Sequence, residues 1–122
     1  MTTDMTFHPV FDSEQLTLDI EPLVIPEVVQ GQSIQERFES FHELNPWVYR
    51  AFVQLTRDWV ARGRTRIGMK MLTEVLRWEY GRQTVGDEFK INNNFTSRYV
   101  RLLIAEHPEY AEAFQTRELR AA

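Results

Sequence analysis

Side chains able to do acid–base or metal chemistry are present in this chain but scattered. His8, His42 and His107 stand far apart, so no two histidines have the spacing that would put both on one face of a helix as metal ligands. Glu106, His107 and Glu109 form a local polar cluster at an expected helix end, a surface feature before a metal site. Cysteine is absent, which removes disulfides, thiolate metal sites and cysteine nucleophiles together. Neither a P-loop nor a dinucleotide-type glycine pattern occurs. These absences point to a non-enzyme without cofactor or metal, leaving only a catalytic set assembled in three dimensions as the alternative.

Side chains able to bind an anion are, by contrast, concentrated. Arg62, Arg64 and Arg66 crowd one connection, with Arg57 a little upstream, a density suited to phosphate contacts. Further on, Asn93, Asn94, Thr96, Ser97, Arg98 and Arg101 gather at the start of an expected helix, where amides, hydroxyls and guanidinium groups can reach base edges and phosphates. The ordinary reading of each is available too. Cations favour helix C-termini and solvate loops, asparagines cap helices and form turns, and Arg98 could serve as a solvated or salt-bridged surface residue.

The net charge of −4 conceals a segregation. Residues 1–36 hold seven acids and no Lys or Arg, whereas the stretch from Arg50 to Arg101 holds 11 basic and 5 acidic residues, or +6. Such a layout gives either a basic binding face or an acidic arm that meets partners or folds back on that face, with a solvated surface and a solubilising tail as the plain alternative. Hydrophobic residues make up 43% of the chain and aromatics 12%, enough for a packed core, and 122 residues allow one domain. No apolar run approaches a membrane span and no export signal opens the chain, so a cytoplasmic location is expected.

Positioning these groups requires helices. Pro22 and Pro26 break any helix before residue 30, and Leu16, Leu18 and Ile20 alternate with Thr17 and Asp19, the period of an extended segment. Residues 1–32 are therefore expected to be an acidic, flexible arm and residues 33–120 a helical domain. Ser33 and Glu36 have the spacing of a capping box, which predicts a helix to about Leu44 with Phe38 and Phe41 inward. Asn45-Pro46 opens a second helix, to Arg62, carrying the stripe Val48, Phe52, Leu55 and Trp59, and Gly63 is placed to end it. A third runs from about Ile67 to Tyr80 with Met71, Leu72, Val75 and Leu76 inward. Residues 84–91 suggest a loop or small hairpin. A fourth helix, capped among Asn92–Asn94, reaches about His107 with Phe95, Tyr99, Leu102 and Leu103 on one face, and a short fifth covers 109–119. Trp47 and Trp78 are both expected in the core, a dimer contact being the alternative for either one left exposed. The fold class is thus all-α, with four to five helices after an extended segment.

The pair of helices between Ile67 and His107 resembles a helix-turn-helix, whose second helix enters the major groove, although a connection of roughly ten residues exceeds the usual 3 to 4. In the arm, Gln15-Leu16-Thr17-Leu18-Asp19-Ile20 resembles the bacterial sliding-clamp-binding peptide, Gln-Leu-x-Leu-x-Leu, with isoleucine in the last place. That resemblance implies docking of Gln15, Leu16, Leu18 and Ile20 into a pocket of the replication clamp, which requires an accessible, extended peptide. From about Phe38 to Arg117 the chain also resembles a family of small phage and prophage proteins, through Phe41-His42-Glu43-Leu44-Asn45-Pro46, Lys70-Met71-Leu72-Thr73-Glu74-Val75-Leu76-Arg77-Trp78 and Phe89-Lys90-Ile91-Asn92-Asn93-Asn94-Phe95. It implies a mobile-element accessory role and no defined activity. The sequence therefore predicts a non-enzymatic protein that binds DNA through a basic helical face, with Arg62, Arg64 and Arg66 on the backbone and Asn94, Ser97, Arg98 and Arg101 in the groove. The rival reading is a module that captures a host protein, most specifically the clamp, through residues 15–20.

Overall fold

The computed structural model describes residues 17–114. Helix α1 (Ile34–Leu44) starts on the capping box: Ser33 Oγ accepts from the Glu36 amide at 3.1 Å while Glu36 Oε1 accepts from the Ser33 amide at 2.8 Å. It buries Phe38 and Phe41. A single residue, Asn45, ends α1 and begins α2 (Pro46–Ala61), where Pro46 occupies the turn that needs no amide donor. Helix α2 buries Trp47, Val48, Ala51, Phe52, Val53 and Thr56. It stops where Gly63 adopts φ +85°, a left-handed conformation that a side chain resists.

Helix α3 (Met69–Gln83) and helix α4 (Thr96–Glu106) complete the bundle, the latter entered through a 3₁₀ turn at Asn93–Phe95. A second 3₁₀ turn, Pro108–Tyr110, carries the chain to Phe114, which is fully buried. The Ile67 amide donates to the Ala113 carbonyl at 3.0 Å, tying this last turn to the entrance of α3. The centre is aromatic: Tyr99 meets Phe38 edge-on at 4.8 Å and Phe52 at 5.2 Å, and Trp47 stacks with Tyr80 at 6.0 Å. The buried threonine hydroxyls are satisfied within their own helices, Thr56 donating to the Phe52 carbonyl and Thr73 to that of Met69.

The all-helical architecture matches the sequence expectation, and several details differ. Among the described residues there is no strand, so no hairpin forms at 84–91; Gly86 turns at φ +79°, and Phe89 drops into the core as the anchor of an irregular connection. Met71 and Val75 do not face inward and Trp78 is not in the core. The buried line of α3 is Met69, Leu72, Leu76 and Tyr80, and at about 100° per residue this turns Met71, Val75 and Trp78 to the far side. In place of the short last helix there is the 3₁₀ turn Pro108–Tyr110 and then plain turns to Phe114, and the predicted remainder lies outside the described residues.

The larger correction concerns the arm. Residues 17–32 are extended, as the prolines require, but they are not a free tail. Leu18 is 3% exposed within the core, and Ile20 and Leu23 pack against it. The Leu23 amide donates to Tyr80 Oη at 3.0 Å, Gln83 Nε2 to the Leu18 carbonyl at 3.4 Å, and Arg50 lies 3.6 Å from Glu21. The tightest fixing is at Asn45, which is fully buried. Its Oδ1 accepts from the Val24 amide at 2.8 Å, and its Nδ2 donates to the Val24 carbonyl at 2.8 Å and the Phe41 carbonyl at 3.0 Å. The segment is a strap laid across α1, α2 and the end of α3.

Asn45→Ala removes all three side-chain bonds, and Asn45→Asp keeps the acceptor but loses both donated ones. Each variant is expected to lower the unfolding free energy by about 2–3 kcal/mol. Urea titration measures the loss, and faster proteolytic cleavage near Val24 locates it; unchanged cleavage there would place the damage elsewhere.

Candidate nucleic-acid interface

The N-terminus of α4 is built by asparagines. Asn92 Oδ1 accepts from the Asn94 amide at 2.8 Å, capping the 3₁₀ turn, and Thr96 Oγ1 donates to the Asn93 carbonyl at 2.9 Å. Phe95, Tyr99, Val100 and Leu103 then lock the helix into the core. At 3.6 residues per turn that burial decides what faces outward: Ser97, Arg98 and Arg101 fall within an arc of about 100° opposite Tyr99 and Leu103, with Asn94 exposed on the 3₁₀ turn before them. No carboxylate of α4 lies in that arc. Glu106, the only acid of α4, is on the other side, where it accepts a bond from Tyr49 Oη at 2.6 Å.

Arg98 is held in place. Its Nε donates to Gln35 Oε1 of α1 at 3.0 Å and its Nη1 to the Asn94 carbonyl at 3.0 Å. It is neither simply solvated nor salt-bridged, since both acceptors are neutral. A guanidinium has five N–H donors, so three remain for a ligand. Asn94 and Arg101 are exposed and Ser97 is half-buried.

The arginine connection is organised separately. Arg62 pairs with Asp58 at 3.1 Å, the Arg64 guanidinium lies over the Trp59 ring at 5.3 Å, and Trp59 Nε1 donates to the Arg66 carbonyl at 2.6 Å. Trp59, read in the sequence as a core residue, thus acts partly as the platform of this loop. The three arginines share one exposed turn, which is a site apart from the α4 group in the chain. From Thr84 to Asn92 the chain between α3 and α4 has no helix, so this pair lacks the tight turn of an ordinary helix-turn-helix.

Of the clamp-type peptide, Gln15 and Leu16 lie outside the described residues. Leu18 is buried and Ile20 is half-buried against the core, so the accessibility expected of this peptide is not met at these two positions. Any partner taking Leu18 would have to withdraw it from the protein's own interior.

Two features escaped the sequence reading because they join distant segments. An open groove of about 720 Å³ lies between the strap, α1 and the connection before α4, with Phe41, Phe89 and Phe95 among its lining residues. Arg37, also on its wall, has a buried Nε without a hydrogen-bond partner. The second is an aromatic cluster around His42, which stacks on Phe38 at 5.9 Å and meets the edges of Tyr49 and Tyr99 at 5.5 and 6.0 Å. Burial pushes the Tyr99 hydroxyl pKa up, and burial together with the bond to Glu106 does the same for Tyr49, so both phenols keep their protons. Among the described residues no group of three His, Asp or Glu side chains could hold a metal ion, and no helix is long and apolar enough to cross a membrane.

Burial lowers the His42 pKa below its ordinary 6.5, against a smaller opposing pull from Glu106. Folded His42 is therefore neutral where the unfolded chain's histidine begins to take a proton. Its contribution to stability is full above about pH 6.5 and is lost as the pH falls towards the lowered folded value. The urea midpoint is expected to drop between pH 7.5 and 5.5, and His42→Gln should flatten that drop; an equal drop in the variant would assign it to other groups.

Compared with protein-family models, curated proteins and solved structures, the chain matches none.

Proposed function

We propose that the protein is a non-enzymatic accessory protein that binds duplex DNA through the outward face of α4, the role that the resemblance to phage proteins would also suit. The observation that carries this reading is the composition of that face and the 3₁₀ turn that enters it: one amide on the turn, then one hydroxyl and two guanidinium groups on α4, with no carboxylate among them. Major-groove recognition uses these groups, arginine to guanine and asparagine to adenine, on a helix that presents its N-terminal turns. The bonds from Arg98 to Gln35 and to the Asn94 carbonyl reduce the side-chain freedom lost on binding. Arg64 and Arg66 add sequence-independent phosphate contacts in this reading, with Arg62 divided between Asp58 and the backbone.

The test is a salt titration of binding to a fluorescent duplex. Wild-type affinity should fall steeply with salt. Arg98→Ala with Arg101→Ala should weaken binding at least about tenfold and reduce the logarithmic salt slope by about one for each phosphate that the variant no longer neutralises. Arg64→Gln with Arg66→Gln should weaken binding to all sequences alike. Affinity and slope unchanged in the α4 variant would remove α4 from the interface, and no binding at low salt would retire DNA as the partner.

A further inference from the structure

The groove between the strap, α1 and the connection before α4 brings together a guanidinium without a partner and apolar side chains left in water. Arg37, Ser40 and Phe41 stand at i, i+3 and i+4 on α1, so they share the face that forms one wall. Three cations line the groove, and two of them have acids beside them: Arg77 lies 3.5 Å from Glu74, and Lys90 lies 3.7 Å from Glu88. Arg37 is the exception. Among the described residues its half-buried side chain has no ion pair and no hydrogen bond, and its Nε is closed to water, against the rule that buried donors find acceptors. On the same lining, Ile25 and Val28 of the strap are 61% and 77% exposed, and Ile91 is half-buried. The volume of about 720 Å³ is that of a small-molecule site, for which roughly 300–1,000 Å³ is usual.

We infer that this groove binds a small organic monocarboxylate with an apolar body, the carboxylate on Arg37 and the body against Ile25, Val28 and Ile91. Charge selects this occupant. A planar carboxylate matches the guanidinium fork and supplies the acceptor that Arg37 lacks. A neutral apolar ligand would bury Arg37 further and leave it unpaired, which costs free energy. A doubly charged group such as a phosphate monoester would meet the two acids that also line the groove, Glu27 and Glu88, so a single negative charge suits it better. The apolar body explains what the charge does not: it covers Ile25 and Val28, which the fold of the chain leaves in water. The groove is open on one side, so the complex is a weak one. This inference does not depend on DNA binding.

An NMR titration of the full chain with 2-naphthoate, and in parallel with the neutral 2-naphthamide of nearly the same shape, tests it. Naphthoate should saturate with a Kd on the order of 0.1–1 mM, the range expected of a ligand this small. The amide resonances that move should be those of the groove, Arg37, Ser40, Phe41, Phe89 and Ile91 among them. Naphthamide should bind at least about fivefold more weakly, because it cannot form the charge-assisted pair. Arg37→Gln, with an unchanged circular dichroism spectrum, should bring naphthoate down to the level of naphthamide. Arg57→Gln, which removes an exposed arginine outside the groove, should leave naphthoate binding as it is. Absence of saturable shifts at the groove up to about 10 mM naphthoate would overturn the inference. So would equal binding of acid and amide by the wild-type protein, or wild-type affinity for naphthoate in Arg37→Gln.

Discussion

Asn45 is the point on which the arrangement of this domain depends. One buried amide terminates α1, stands at the start of α2 and grips both backbone groups of Val24. The side-chain chemistry is well matched, because the strap offers one donor and one acceptor in the same place and an amide answers both while its second N–H bonds the Phe41 carbonyl. Without that grip, the backbone groups of Val24 would lie unpaired against the bundle, and the strap would rest on Leu18, Leu23 and the bonds from Tyr80 and Gln83. With it, the strap closes the side of the core formed by Trp47 and Tyr80, and Tyr80 returns a bond through its hydroxyl to Leu23.

The same constraint explains why the acidic N-terminal segment does not behave as a separate unit from Thr17 onward. An arm folded back on the basic face by electrostatics was one of the readings its charge pattern allowed. Among the described residues only the Glu21–Arg50 pair has that character, and both partners are more than half exposed, where such pairs contribute little. The strap is held instead by buried leucine and by hydrogen bonds to neutral groups. An alternating Leu-x-Leu-x-Ile run is equally the signature of a peptide offered to a partner and of one already paired with its own domain, and the sequence contains nothing local that tells them apart.

What could be read along the chain was what local rules control. The capping box at Ser33, the Asn45-Pro46 junction, Gly63 and the asparagine run before α4 each set a helix boundary within a few residues, because caps and breakers act over one turn. The inward face of α1 followed from apolar spacing, and that of α4 in part: Tyr99 and Leu103 are buried, but fully buried Val100 takes the place expected of Leu102, which is half-buried. For α3 the spacing was ambiguous: Met71, Leu72, Val75, Leu76 and Trp78 spread over an arc of about 160°, wider than one buried stripe, and only the positions of Met69 and Tyr80 in the assembled core decide which edge of it is buried. The residues proposed for α4 were legible as a set for the same reason that Tyr99 and Leu103 were, since they are the complement of one periodic pattern. The groove beside Arg37 and the cluster around His42 were not, being made from segments that meet only after folding.

Comparing the two outward faces shows which carries more information. A polar face on α4 is what water alone would require, so its polarity says little; the informative part is the exclusion of carboxylates from an arc that includes two arginines, in a protein with more acids than bases. An apolar face on α3 runs against solvation, since Trp78 leaves 69% of its surface in water. Both faces are fixed by burial on the opposite side of their helices, Tyr99 and Leu103 for one, Leu76 and Tyr80 for the other. The core therefore sets the angle at which each surface is presented, and because α3 and α4 pack against each other, the two faces are fixed relative to one another.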